Sequence, residues 1–92
     1  MTFTYPAVFV PHGEDAGFDV EFPDLEGCRA VGPDLEDAVE NARDAAYNWL
    51  MVEIEDETYE FPAQSHVEDI LLPPDAFIKQ IRVTVKLMPD ND

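Results

Sequence analysis

The sequence predicts an α+β domain with the element order β-β-β-α-β, one helix lying over one face of a small sheet. Three observations carry this reading. Phe18-Asp19-Val20-Glu21-Phe22 alternates strictly between apolar and acidic residues, the period-two pattern of a half-buried strand. Leu35, Ala38, Val39, Ala42, Ala46, Trp49 and Leu50 recur at steps of three and four, which draws one apolar face along a single helix. At 92 residues the chain has room for one sheet, one helix and one core, and none for a second ordinary domain.

Phe3 to Val10, rich in aromatic and β-branched residues, forms the first predicted strand, and the polar connection Pro11 to Gly17 leads into the second, Phe18 to Phe22. Pro23-Asp24-Leu25-Glu26-Gly27 turns the chain, with Gly27 free to take positive φ, and Cys28 to Val31 returns as a short third strand. After Gly32-Pro33, Asp34 is the predicted N-cap, and Glu36 and Asp37 sit beside the positive end of the helix dipole. The helix is expected to reach Ile54. The acidic run Glu53 to Glu57 puts negative charge at the wrong end of the dipole, which predicts fraying there. Ser65 and Glu68 fit a capping box, so a short helical turn is expected over residues 66–71. Phe77 to Leu87 is the last strand: Phe77, Ile81, Val83, Val85 and Leu87 face one way, Gln80, Arg82, Thr84 and Lys86 the other. Reached through a long helical crossover, it is expected beside the first strand and parallel to it. The domain covers residues 1–88, and 89–92 form a polar tail.

Charge narrows the function classes. There are 21 Asp and Glu against 5 Lys and Arg, a formal net charge of −16. Such a surface repels phosphate backbones, so direct nucleic-acid binding is disfavoured and a basic partner is attracted. The same composition suits concentrated salt, where screening removes self-repulsion, and the two explanations are compatible. Cys28 stands alone, which excludes an internal disulfide and a cysteine zinc site and makes a reducing, cytoplasmic compartment the simplest. No basic leader follows Met1, and no segment approaches the ~20 apolar residues of a membrane helix.

The conspicuous single residues have plain structural readings. His12, beside Glu14 and Asp15, and His66, before Glu68, are read as solvated polar residues. Cys28 is read as a small core hydrophobe, its pKa raised if acidic neighbours act on it, and Trp49 as part of the helix's packing stripe. Tyr47 lies off that stripe and is the better candidate for touching another chain. Arg82 and Lys86 are placed to discourage edge-to-edge pairing, yet the edges are otherwise unprotected, so a homo-oligomer (dimer or higher) is expected.

Tyr5-Pro6-Ala7-Val8-Phe9, the acidic loop, Phe18-x-Val20-x-Phe22-Pro23-Asp24-Leu25-x-Gly27-Cys28, and Gly32-x-Asp34-Leu35-Glu36-Asp37-Ala38-x-Glu40-Asn41-Ala42 together resemble the N-terminal domain of HicB-type antitoxins. The resemblance is close from residue 5 to about residue 50 and looser beyond. It implies a partial ribonuclease-H-like sheet covered on one face by one main helix, without nuclease activity. It also implies a partner, a small basic HicA-type toxin that cleaves mRNA and is neutralised by covering its RNA-binding face. Members of that family often continue into a DNA-binding helix-turn-helix or ribbon-helix-helix segment. Here only Met88 to Asp92 follow the last strand, so no C-terminal DNA-binding domain is evident.

The expected function is therefore that of a protein-binding module without catalysis, cofactor or metal. Its candidate contact residues are Asp19 and Glu21 on the second strand and Glu36, Glu40, Asp44 and Tyr47 on the helix. A two-metal nuclease would recruit Asp19, Glu21 and Asp24, but in so acidic a chain carboxylates on a solvent face are expected by chance. The alternative is a solitary homo-oligomeric domain of the same fold, with another protein or RNA-processing partner, whose acidity reflects a salty cytoplasm.

Overall fold

A computed structural model of the chain describes residues 2–55 and 61–85. Four strands, β1 (Thr2–Pro11), β2 (Phe18–Glu21), β3 (Arg29–Gly32) and β4 (Phe77–Thr84), form one sheet in the order β3-β2-β1-β4. One helix, α1 (Leu35–Glu55), packs on it, and Val67–Asp69 makes a single 3-10 turn.

Alternation sets the two sides of the sheet. Tyr5, Ala7, Phe9, Val20, Phe22, Ile81 and Val83 all point at the helix and are buried, while Asp19 and Glu21 stay exposed on the outer side. From α1, Ala38, Ala42, Ala46 and Leu50 descend onto this layer, each fully buried. Three alanines spaced by four residues leave no bulk between helix and sheet, so the backbones approach closely. Leu35 departs from the expected stripe: at the first helical position it is 37% exposed. Asp34 caps as expected, its Oδ1 accepting from the Asp37 amide at 2.8 Å.

The last strand corrects the expected direction. β4 does lie beside β1, but antiparallel to it, with Thr2 opposite Thr84 and Phe9 opposite Phe77. The reason is the segment that follows the helix. Phe61 packs on Phe3 at 4.5 Å between ring centroids, and Tyr5 Oη donates to the Pro62 carbonyl at 2.7 Å. Ser65 then reaches Asp24, while Ile70, Leu71 and Pro73 lie beside Val8 and Val10 on the outer side. The helix carries the chain one way along the sheet and residues 61–73 bring it back, so β4 starts from the end at which β1 finishes. A turn from Pro73 to Ala76, with Asp75 at φ 67°, reverses it into the strand.

The capping box is also corrected. Only Val67–Asp69 are helical, His66 occupies the N-cap position without a side-chain hydrogen bond, and Ser65 serves Asp24 instead. The edges of the sheet are better guarded than expected. At the β3 edge, Asn41 Nδ2 donates to the Val31 carbonyl at 2.8 Å, and at the β4 edge Arg43 Nε donates to the Arg82 carbonyl at 3.4 Å. Two helix residues thus reach over opposite rims and occupy acceptors that another strand would seek. Lys86, Leu87, the 89–92 tail and the acidic positions Asp56 and Glu57 lie outside the described residues.

Candidate functional site

The turn from Phe22 to Cys28 is the anchor of the domain. Its backbone closes on itself through Leu25 N to the Phe22 carbonyl, Cys28 N to the Leu25 carbonyl and Phe22 N to the Cys28 carbonyl. Gly27 stands at φ 79°, and Phe22, Leu25 and Cys28 are buried. Two other elements dock on it. Trp49 Nε1, at the far end of α1, donates to the Glu26 carbonyl at 2.9 Å, and the Asp24 carboxylate accepts from both the amide (2.9 Å) and the hydroxyl of Ser65. Asp24 therefore holds the returning segment to the sheet, and Trp49 adds a polar tether to its packing role. Burial pushes the Cys28 thiol up to about 11, so desolvation rather than neighbouring acid sets its state.

The predicted contact residues fall into two groups on opposite layers. Asp19 and Glu21 project from the outer side of the sheet. Glu36, Glu40, Asp44 and Tyr47 project from the solvent side of the helix, with Tyr47 42% exposed. On the helix, Glu40 is already answered by Arg43 Nη1 at 2.8 Å. Asp19 has a partner that the sequence reading missed. His12 Nε2 lies 3.3 Å from Asp19 Oδ1 and His12 Nδ1 lies 2.9 Å from Asp15 Oδ1, whose carboxylate also accepts from the Gly17 amide at 2.6 Å. His12 is thus exposed, as expected, and is also the centre of a loop cluster. Its hydrogen bonds to Asp15 and Asp19 raise its pKa above the ordinary 6.5, while the Gly17 amide, and then His12, lower that of Asp15. The spacing i, i+3 to Asp15 and i, i+7 to Asp19 was the available signal.

Of the three carboxylates that a metal site would recruit, Asp24 is engaged by Ser65 and Asp19 faces His12. Among the described residues no group of three or more His, Cys, Asp or Glu is arranged to hold a metal ion.

Residues 5–90 match the family model described as the HicB_like antitoxin of bacterial toxin-antitoxin systems. The chain belongs to that HicB-like antitoxin family. Its fold is also that of solved HicB structures. The N-terminal domain of the Burkholderia pseudomallei antitoxin HicB is 26% identical, with a TM-score of 0.70 over 91% of this chain and 99% of that one. A chain of a toxin-antitoxin complex from Streptococcus pneumoniae is 25% identical, with a TM-score of 0.63 over 91% of this chain and 70% of that one. The Burkholderia pseudomallei antitoxin HicB structure gives a TM-score of 0.74 at 24% identity, covering 98% of this chain and 70% of that one. No curated protein matches significantly. In this HicB-like chain the stretch Phe22 to Cys28, one of those that carry the family resemblance, is thus explained by folding: it seats the helix and the returning segment. None of the described helices is long and apolar enough to cross a membrane.

Proposed function

We propose that this chain neutralises a small basic HicA-type toxin, an mRNA-cleaving enzyme, by lying over its RNA-binding face, and that it performs no chemistry itself in the cytoplasm. The observation that carries this is the pairing of family membership with an acidic excess of 21 to 5, which complements a surface built to bind RNA. Support comes from the Streptococcus pneumoniae chain of the same fold, which is part of a toxin-antitoxin complex. Two acidic faces are available for the contact: Asp19 and Glu21 on the sheet, or Glu36, Glu40 and Asp44 with Tyr47 on the helix.

The test is charge reversal, one face at a time, with co-expressed toxin. Reversal of the contacting face abolishes co-purification, whereas melting stays close to the wild type because exposed substitutions cost within about 0.5 kcal/mol. Co-purification that survives both reversals refutes the electrostatic reading. The genome offers a cheaper check, an adjacent reading frame for a small basic protein. The alternative of a homo-oligomeric domain adapted to salt is favoured by the same charge excess, and predicts unfolding as ionic strength is lowered.

A further inference from the structure

The outer side of the sheet carries more than charge. Strand register sets Val10 against Asp19 and Asp19 against Val31, and in the next row Val8 against Glu21 and Glu21 against Arg29. These side chains share one side, so Asp19 stands between two valines and Glu21 between Val8 and Arg29. Two open hollows lie here, of about 600 Å³ and 500 Å³, and they share Val10 and Glu21. They form one trough. Val31, 54% exposed on the edge strand, bounds it on one side; the returning segment bounds it on the other with Ile70, Pro73 and Leu71, which is 95% exposed. Asp69 joins Asp19 and Glu21 in the lining, against the single cation Arg29.

The helix side differs among the described residues. Its exposed apolar residues are scattered, and the hollow beside Asp44 and Tyr47, about 410 Å³, is lined by both Arg43 and Arg82. The first surface gathers three carboxylates against one arginine, whereas at the second two arginines stand beside Asp44, so a cationic partner is favoured more strongly at the first. Interface energy also concentrates where apolar anchors fill desolvated pockets, and acidic charge alone adds mainly on-rate.

We propose that this trough, and not the helix face, receives the partner, and that the occupant is a cationic segment of the toxin carrying an aliphatic or aromatic anchor. The anchor lies between Leu71 and Val31, with lysine or arginine heads over Glu21, Asp19 and Asp69. A second copy of this chain does not fit, since face-to-face pairing sets these same carboxylates against one another. Nucleic acid is excluded by the same sign of charge. The inference rests on the antitoxin reading and names the site at which that reading operates.

The experiment titrates the full chain with a catalytically inactive HicA-type toxin from the same genome, by calorimetry at physiological salt. Leu71→Asp and Val31→Asp each weaken binding at least tenfold, while Val52→Asp, an equally drastic change at a residue 67% exposed on the helix, leaves it within twofold. Thermal melting checks that all three variants fold, as their exposure predicts. Wild-type affinity in both trough variants overturns the trough and leaves the antitoxin reading standing. A wild-type chain that does not bind the toxin overturns both.

Discussion

Gly32 gives the sharpest test of how the helix is seated. It ends β3 two residues before the N-cap Asp34, and a Cβ built there would lie 2.4 Å from Ala38 N, 2.6 Å from Ala38 Cα and 2.9 Å from the Asp37 carbonyl carbon. Its φ is not in the left-handed region, so space rather than backbone freedom requires glycine. Gly27 is the converse, with φ +79° and nothing within 4 Å of a Cβ. The atoms facing Gly32 are backbone and cannot rotate aside. Restoring ordinary contact moves the helix by about 1 Å, a gap that forfeits a quarter to a half of each dispersion contact it opens. That loss runs along Ala38, Ala42, Ala46 and Leu50, all fully buried. Gly32→Ala should therefore cost about 2–3 kcal/mol, the upper part of the overpacking range. For a domain of this size that lowers Tm by about 10–15 °C, measured by circular dichroism. Gly27→Ala costs about 1–2 kcal/mol by conformation alone. A Gly32→Ala protein that melts within about 3 °C of the wild type would refute the close seating.

Three further outcomes follow from the same contacts. Asp24→Ala releases the Ser65 amide and hydroxyl, costs about 1.5–3 kcal/mol as lost hydrogen bonds to a charged group, and raises amide exchange across residues 61–73; unchanged exchange would free Asp24 of its anchoring role. His12 should titrate above 6.5 by NMR, and Asp19→Asn should lower its pKa; protonated His12 favours the folded loop, an effect complete below 6.5 and lost as pH rises through the folded value. Cys28 should resist alkylation at mildly alkaline pH until the protein unfolds, since its thiol titrates near 11; rapid labelling of the native protein would contradict its burial.

What the sequence made legible was local. The alternation over residues 18–22 and the Asp34 cap depend on neighbours within a few positions, and both hold. The direction of β4 was illegible because it depends on where Phe61, Pro62 and Ser65 land, and Ser65 meets Asp24 across 41 positions. Pro6 is a related case, since a proline within a central strand normally argues against it. The Arg82 carbonyl, used by Arg43, points outward, and Arg82 pairs with Thr4. Pro6 shares Thr4's parity, so its missing amide hydrogen faces away from β4, on the flank where pairing with β2 begins only at Val8. Half of the proposed trough was readable for the same reason. Period two places Asp19 and Glu21 on the outer side, but the aliphatic wall of Ile70 and Leu71 comes from a proline-bearing stretch without periodicity.

The distribution of protection across the domain argues for a heterotypic partner. One side of the sheet is sealed by alanines, and a carbonyl at each edge is engaged by Asn41 or Arg43 from that same helix. Strand addition at those acceptors would first have to displace them. The outer side, by contrast, leaves Leu71 and Val31 in water beside an acidic surface, an arrangement that costs solubility unless it is covered. Covering it with a second acidic copy sets like charges together, whereas a cationic chain covers the apolar residues and answers the carboxylates at once. That complementarity is the physical ground for proposing an oppositely charged protein, rather than a second copy, as the occupant of the trough.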